Sequence, residues 1–216
     1  MTIFLKKSLD DRLRLDCKGF DFFLNQIYFN DDAEKNIRMI LKEAQRLPAA
    51  LGGYHGGYRG GLYDHILLVT NLSYRIYYKP EMGIKKLGNL KVPYLQEYSE
   101  TKIESVIKAA LYHDFGKIPY YLFRRGIRDR KVITLKLERD AVHKEIVNRF
   151  GYKGNDEHVE ECIAVLKKFN IPFDDEIYQA IIFHHGWRAK YRPLRFNTLG
   201  TLLHLADMIA SRQYRI

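Results

Sequence analysis

The stretch Ala109-Ala110-Leu111-Tyr112-His113-Asp114-Phe115-Gly116-Lys117 decides how the rest of the chain is read. Its apolar residues continue a helical pattern that begins near Thr101, and the last turn carries adjacent histidine and aspartate before a glycine stop. Neighbouring residues on a helix point about 100° apart, so His113 and Asp114 can approach one point from two directions. An imidazole offers one lone pair, whereas a carboxylate has two oxygens and can bridge two cations. Gly116 releases the chain and leaves Lys117 to reach a phosphate oxygen.

Four further elements have the same character. Gly60-Gly61-Leu62-Tyr63-Asp64-His65 is a glycine turn entering a helix whose first turn bears a histidine, with helix amides that favour anions. Ala180-Ile181-Ile182-Phe183-His184-His185-Gly186-Trp187 puts paired histidines where an apolar helix gives out, a place with little packing rationale for two polar rings. Leu202-Leu203-His204-Leu205-Ala206-Asp207-Met208-Ile209-Ala210 buries one carboxylate in an apolar helix, which requires pairing, protonation or a metal. His204 precedes Asp207 by one turn and is placed to support it from behind. His143 starts a helix between the second and third of these histidine-bearing segments and is the least specific of the set.

A single histidine on an apolar helix face is ordinarily a satisfied core residue. Several converging with carboxylates are better explained by a bound divalent ion. Of the eight histidines, His158 lies among acidic neighbours and reads as a solvated helix start without a functional role.

Helical spacing runs over Ala33 to Leu47, Leu62 to Tyr78, Thr101 to His113, Asp140 to Phe150, Asp156 to Phe169, Asp174 to Phe183 and Asn197 to Arg212. Asp31 and Asp32 are candidate caps for the first, Gly116 and Pro119 end the third, and Asp174 opens the sixth. Only Lys131 to Leu137 alternates like a strand, and an irregular or hairpin insertion is expected around 124–137. The fold class is therefore mainly α, seven helices around one core, with an N-terminal extension over 1–32 packed on a domain over 33–216.

At 216 residues and 46% apolar positions, one domain is the default. No apolar run approaches the roughly 20 residues of a membrane span. Met1 to Lys7 lacks the long apolar region and cleavage site of a secretory signal. Two isolated cysteines, Cys17 and Cys162, form no disulfide framework and fit a reducing cytoplasm. The net charge is +10, from 36 basic against 26 acidic residues. Much of the excess lies in Arg124 to Lys136 and Arg188 to Arg195, each following a histidine-bearing segment, so a polyanionic partner is expected.

The order His65, His113-Asp114, His143, His184-His185, Asp207 resembles the HD superfamily of metal-dependent phosphohydrolases, over residues 48 to 212. Within it, Pro48-Ala49-Ala50 and His55-Gly56-Gly57-Tyr58-Arg59-Gly60-Gly61-Leu62 before His65 are similar to the bacterial 3'-to-5' exoribonucleases of the HD type. A helicase- and relaxase-associated HD family has a comparable lead-in. The exonucleases carry an oligonucleotide-binding barrel, for which the roughly 30 residues before the first helix are too short.

The resemblance implies a helical fold and one ion held by His65, His113, Asp114 and Asp207. It implies that Asp114 bridges to a second ion held by His143, His184 and His185, with His55 and His204 supporting these ligands. Asp114 and Lys117 are the expected catalytic residues, and Lys117, Arg59 and Arg188 the expected substrate contacts. Mixed nitrogen and oxygen ligation suits manganese, iron, cobalt, nickel or zinc better than calcium. The expected activity is cleavage of phosphodiester bonds in single-stranded nucleic acid or short oligonucleotides by metal-activated water. The alternatives are hydrolysis of a small nucleotide (a monophosphate, dinucleotide or signalling nucleotide) and a non-catalytic nucleic-acid-binding module.

Overall fold

The computed structural model describes residues 17–50, 55–78, 101–124, 130–150, 157–185 and 197–212, with the side chains of 122–138 and 157 outside that description. Among the described residues every regular element is helical: α1 Phe20–Leu24, α2 Asp31–Ala44, α3 Gly61–Tyr78, α4 Ile103–Tyr112, α5 Lys117–Arg124, α6 Arg130–Phe150, α7 Glu157–Lys168, α8 Asp175–Phe183 and α9 Thr198–Arg212. No described helix is long and apolar enough to cross a membrane.

The central element is α3, which is buried on nearly all sides from Leu62 to Ser73. A helix apolar all round needs neighbours on every face, and α3 finds them in α2, α4 and α9. Its polar residues are satisfied internally: Thr70 Oγ1 donates to the Ile66 carbonyl at 2.8 Å, and Asn71 Nδ2 to the Leu67 carbonyl at 2.9 Å. Asn71 also exchanges hydrogen bonds with the backbone of Lys18, accepting at 2.7 Å and donating at 3.0 Å. That exchange fixes the segment before α2, whose Cys17, Phe20, Phe23 and Leu24 enter the common core.

Three local expectations are corrected. Lys131 to Leu137 is not a hairpin but lies inside α6, because a continuous helix satisfies its backbone without a partner strand. Pro119 does not end a helix; it occupies the first turn of α5, where its missing N–H leaves no intrahelical bond unmade. The cap of α2 is Asn30, whose side chain accepts from Ala33 N at 2.8 Å, while Asp31 and Asp32 fall in the first turn. Asp174 does cap α8, accepting from Ile177 N at 2.8 Å.

Met1 to Lys7, the basic cluster at 188–195 with Arg188, and the side chains of the cluster at 124–136 lie outside the described residues.

Candidate metal centre

Five chain segments converge beside α3: the glycine lead-in, the corner after α4, the start of α7, the end of α8 and the middle of α9. The lead-in reaches the site because Gly56 and Gly60 adopt positive φ of 61° and 96°, which side chains disfavour. The turn then closes so tightly that a Cβ on Gly61 would lie 2.0 Å from the Gly56 carbonyl. This seats His55 against His65, ring centroids 4.9 Å apart, and leaves Arg59 exposed.

At the corner after α4, His113 and Asp114 are almost entirely buried. His113 Nδ1 faces the Ala110 carbonyl at 2.8 Å. A carbonyl can only accept, so Nδ1 carries a proton and Nε2 is the ring nitrogen turned to the site. Nε2 lies 3.5 Å from His65 Nε2 and 3.4 Å from Asp114 Oδ2. His65 Nε2 in turn lies 3.4 Å from Asp114 Oδ2 and 3.1 Å from Asp207 Oδ1. Ligand atoms of His65, His113 and Asp207 lie within 4.8 Å of one another, and Asp114 Oδ2 lies beside the two imidazoles of that group without joining it as a fourth mutually close member.

Charge at this point is finely balanced. Burial pushes the Asp114 carboxyl up, but Lys117 and His113 outweigh it and hold Asp114 well below the usual carboxylate range. Asp207 behaves likewise, burial being overcome by His65, His113 and His184. Burial works to lower His113, yet Asp114 and Asp207 prevail and raise it, whereas in His65 burial wins and the ring is lowered. Lys117 Nζ sits 2.7 Å from Asp114 Oδ2; burial opposes its charge, and Asp114 more than restores it. Lys117 is thus already engaged by Asp114. The other oxygen, Asp114 Oδ1, is buried with no hydrogen-bond partner among the described residues. A buried carboxylate oxygen left without a donor is costly in a protein interior, and a cation would satisfy it.

A second group lies next to the first. His184 Nδ1 faces the Ile181 carbonyl at 2.6 Å, which again leaves Nε2 as the acceptor nitrogen. Its ring is 5.3 Å from that of His113 and 4.1 Å from that of His185. Burial, then the neighbouring His185 and His113, hold His184 well below the ordinary imidazole range, so it is neutral. His204 does not bond Asp207; its Nδ1 donates to the His184 carbonyl at 2.7 Å, and Asp207 Oδ1 accepts from Ser211 Oγ at 3.0 Å.

The third member of this second group is His158, read from sequence as a solvated helix start. Its ring lies 4.8 Å from His185 and 5.8 Å from His184. Each member of the trio offers a ring nitrogen within 4.8 Å of the other two. The acidic run around His158 masked a usable signal: His158, Cys162 and Val165 recur at helical spacing, and the last two are buried. His143 lies in neither group; its Nδ1 is 2.7 Å from Glu160 Oε1 across the α6–α7 contact.

A buried, carboxylate-bearing histidine centre inside an all-helical bundle defines a class of metal-site proteins. A model of the HD domain family matches residues 62–211, more than half of the chain, and the chain belongs to that family. Members of the family are generally metal-dependent hydrolases. No curated protein and no solved structure matches the chain.

Proposed function

We infer that the chain is a metal-dependent phosphodiesterase that cleaves single-stranded nucleic acid or short oligonucleotides. The observation that carries this reading is the gathering of His65, His113 and Asp207 ligand atoms beside the buried Asp114 carboxylate, whose Oδ1 has no hydrogen-bond partner among the described residues. A divalent first-row ion bound by these four supplies Lewis acidity toward a phosphoryl oxygen and toward water.

The remaining steps belong to the chain itself. His113 is oriented by the Ala110 carbonyl, so its ring does not have to turn to present Nε2. Lys117 is held as a cation on Asp114, and in this reading its charge would also neutralise a non-bridging phosphoryl oxygen. Arg59, exposed on the lead-in turn that also carries His55, is the proposed contact for a neighbouring phosphate. The net charge of +10 attracts a polyanion, which supports a strand or oligonucleotide over a single small nucleotide.

The test uses the full chain purified without chelator. Elemental analysis should find a first-row metal, and end-labelled single-stranded RNA or DNA should be shortened stepwise when manganese or iron is supplied. Intact strands together with phosphate release from mononucleotides or dinucleotides would assign the chain to small substrates instead. Binding of strands without any turnover would make it a non-catalytic module.

A further inference from the structure

We propose that His158, with His184 and His185, holds a second divalent cation through imidazole nitrogen alone, and that His143 is not a ligand. This deepens the metal-dependent reading above and rests on it.

The three rings are brought together by close backbone packing. A Cβ on Gly116 would lie 1.8 Å from the His158 carbonyl oxygen and 2.4 Å from Cys162 N, so α7 can approach the histidine–aspartate corner only because residue 116 is glycine. Cys162 Sγ then donates to the Tyr112 carbonyl at 2.7 Å and fixes the rotation of α7 against α4. That rotation turns His158, one helical turn before Cys162, toward His184 and His185. On the other side, His204 of α9 pins the His184 carbonyl at 2.7 Å. The trio is thus held from α4, α7 and α9, with His184 already in the tautomer that presents Nε2.

Three imidazoles packed against one another gain little as neutral rings and repel one another as cations. A shared divalent ion turns the same arrangement into a favourable one, and three nitrogens are an adequate ligand set for a borderline first-row metal. The proximity of His113 and His184, 5.3 Å between ring centroids, makes the two groups neighbours in one centre. His143, on α6, belongs to neither group of mutually close ligand atoms; its Nδ1 lies 2.7 Å from Oε1 of the buried Glu160, and this pair ties α6 to α7, the helix that carries His158.

The test is metal stoichiometry of the full chain. The protein is stripped with chelator, reloaded with cobalt(II) and desalted, and its cobalt content and visible absorption are recorded beside those of His158→Gln, His143→Gln and Asp207→Asn. The expected result is two equivalents in the unmutated chain and in His143→Gln, and one in His158→Gln with loss of part of the absorption band. Asp207→Asn should lose the other equivalent and keep the nitrogen-only component. A single equivalent in the unmutated chain that survives His158→Gln but not Asp207→Asn overturns the second site and leaves the one-ion hydrolase intact. A His143→Gln chain that loses an ion retained by His158→Gln hands the ligand role to His143. No cobalt in the unmutated chain removes both readings. Mapping diethyl pyrocarbonate modification in the unmutated chain covers the case of a variant that does not fold. Cobalt should protect His158, and equal modification with and without metal overturns the proposal.

Discussion

The two histidine groups differ in how they manage charge. The first combines His65 and His113 with the buried Asp114, the partly buried Asp207 and a lysine, so strong charges oppose one another and the folded protein is committed to them. The second, His158, His184 and His185, contains no carboxylate among its members, and its buried ring, His184, is held neutral. A dication facing a carboxylate at about 4 Å gains several kcal/mol more than one facing a neutral nitrogen dipole, even in a screened interior. The carboxylate group should therefore load first and release metal last, and the imidazole group should be the labile half of the centre.

The largest way to break this contrast is Asp114→Asn. It preserves shape but removes the charge that Lys117 was buried against, and breaking a buried ion pair from one side costs about 3–5 kcal/mol. Urea denaturation in chelating buffer should show that loss, and turnover with added metal should fall by about 1,000-fold or more. Adding Lys117→Met should recover most of the stability and none of the turnover. An Asp114→Asn chain as stable as the parent would mean that Lys117 is not held there by charge.

Gly116→Ala attacks the other half. The new methyl would overlap backbone atoms of His158 and Cys162, so α7 must retreat, at a cost of about 3 kcal/mol, the upper end for overpacking. The retreat draws His158 away from its partners, and the labile ion should dialyse out faster while the carboxylate-held ion stays. Equal loss of both ions would show that α7 supports the whole centre rather than one group.

How far the site could be read from sequence follows the same divide. His113-Asp114-Gly116 and the lone Asp207 in an apolar helix stood out because charge in an apolar segment is costly and needs a reason. The segments of α3, α4, α8 and α9 were legible through unbroken 3.6-residue spacing. His158 was not legible, because Glu157, Glu160 and Glu161 made its helix look solvated, although Glu160 and Glu161 are in fact buried. Gly116 was read as a helix stop, but its tight approach to α7 is a tertiary fact that no local pattern encodes. The continuation of α6 through Lys131 to Leu137 was missed because β-branched residues there favour extended structure locally, and tertiary context overrides so weak a preference.

Asp64 sharpens the comparison from within the carboxylate side. It is buried like Asp114 but faces the Tyr58 hydroxyl at 2.7 Å, where Asp114 faces a lysine. Burial accordingly dominates and pushes its carboxyl up to about 6, with Tyr58 only partly opposing. A carboxyl raised in the folded state binds its proton more tightly there than in the unfolded chain. Its contribution to stability is complete below the unfolded value near 3.8 and is lost as pH rises through about 6. Between pH 4.5 and 6.5 the loss is about 2 kcal/mol, taking roughly 1.4 kcal/mol for each unit of difference between the folded and unfolded values. Asp64→Asn keeps an oxygen for Tyr58 and cannot ionise, so its stability relative to the parent should rise across that interval in metal-free buffer. Parallel pH profiles for the two proteins would show that Asp64 finds a cation in solution. The distinction between carboxylates held by charge and carboxylates held by burial would then fail at its simplest instance.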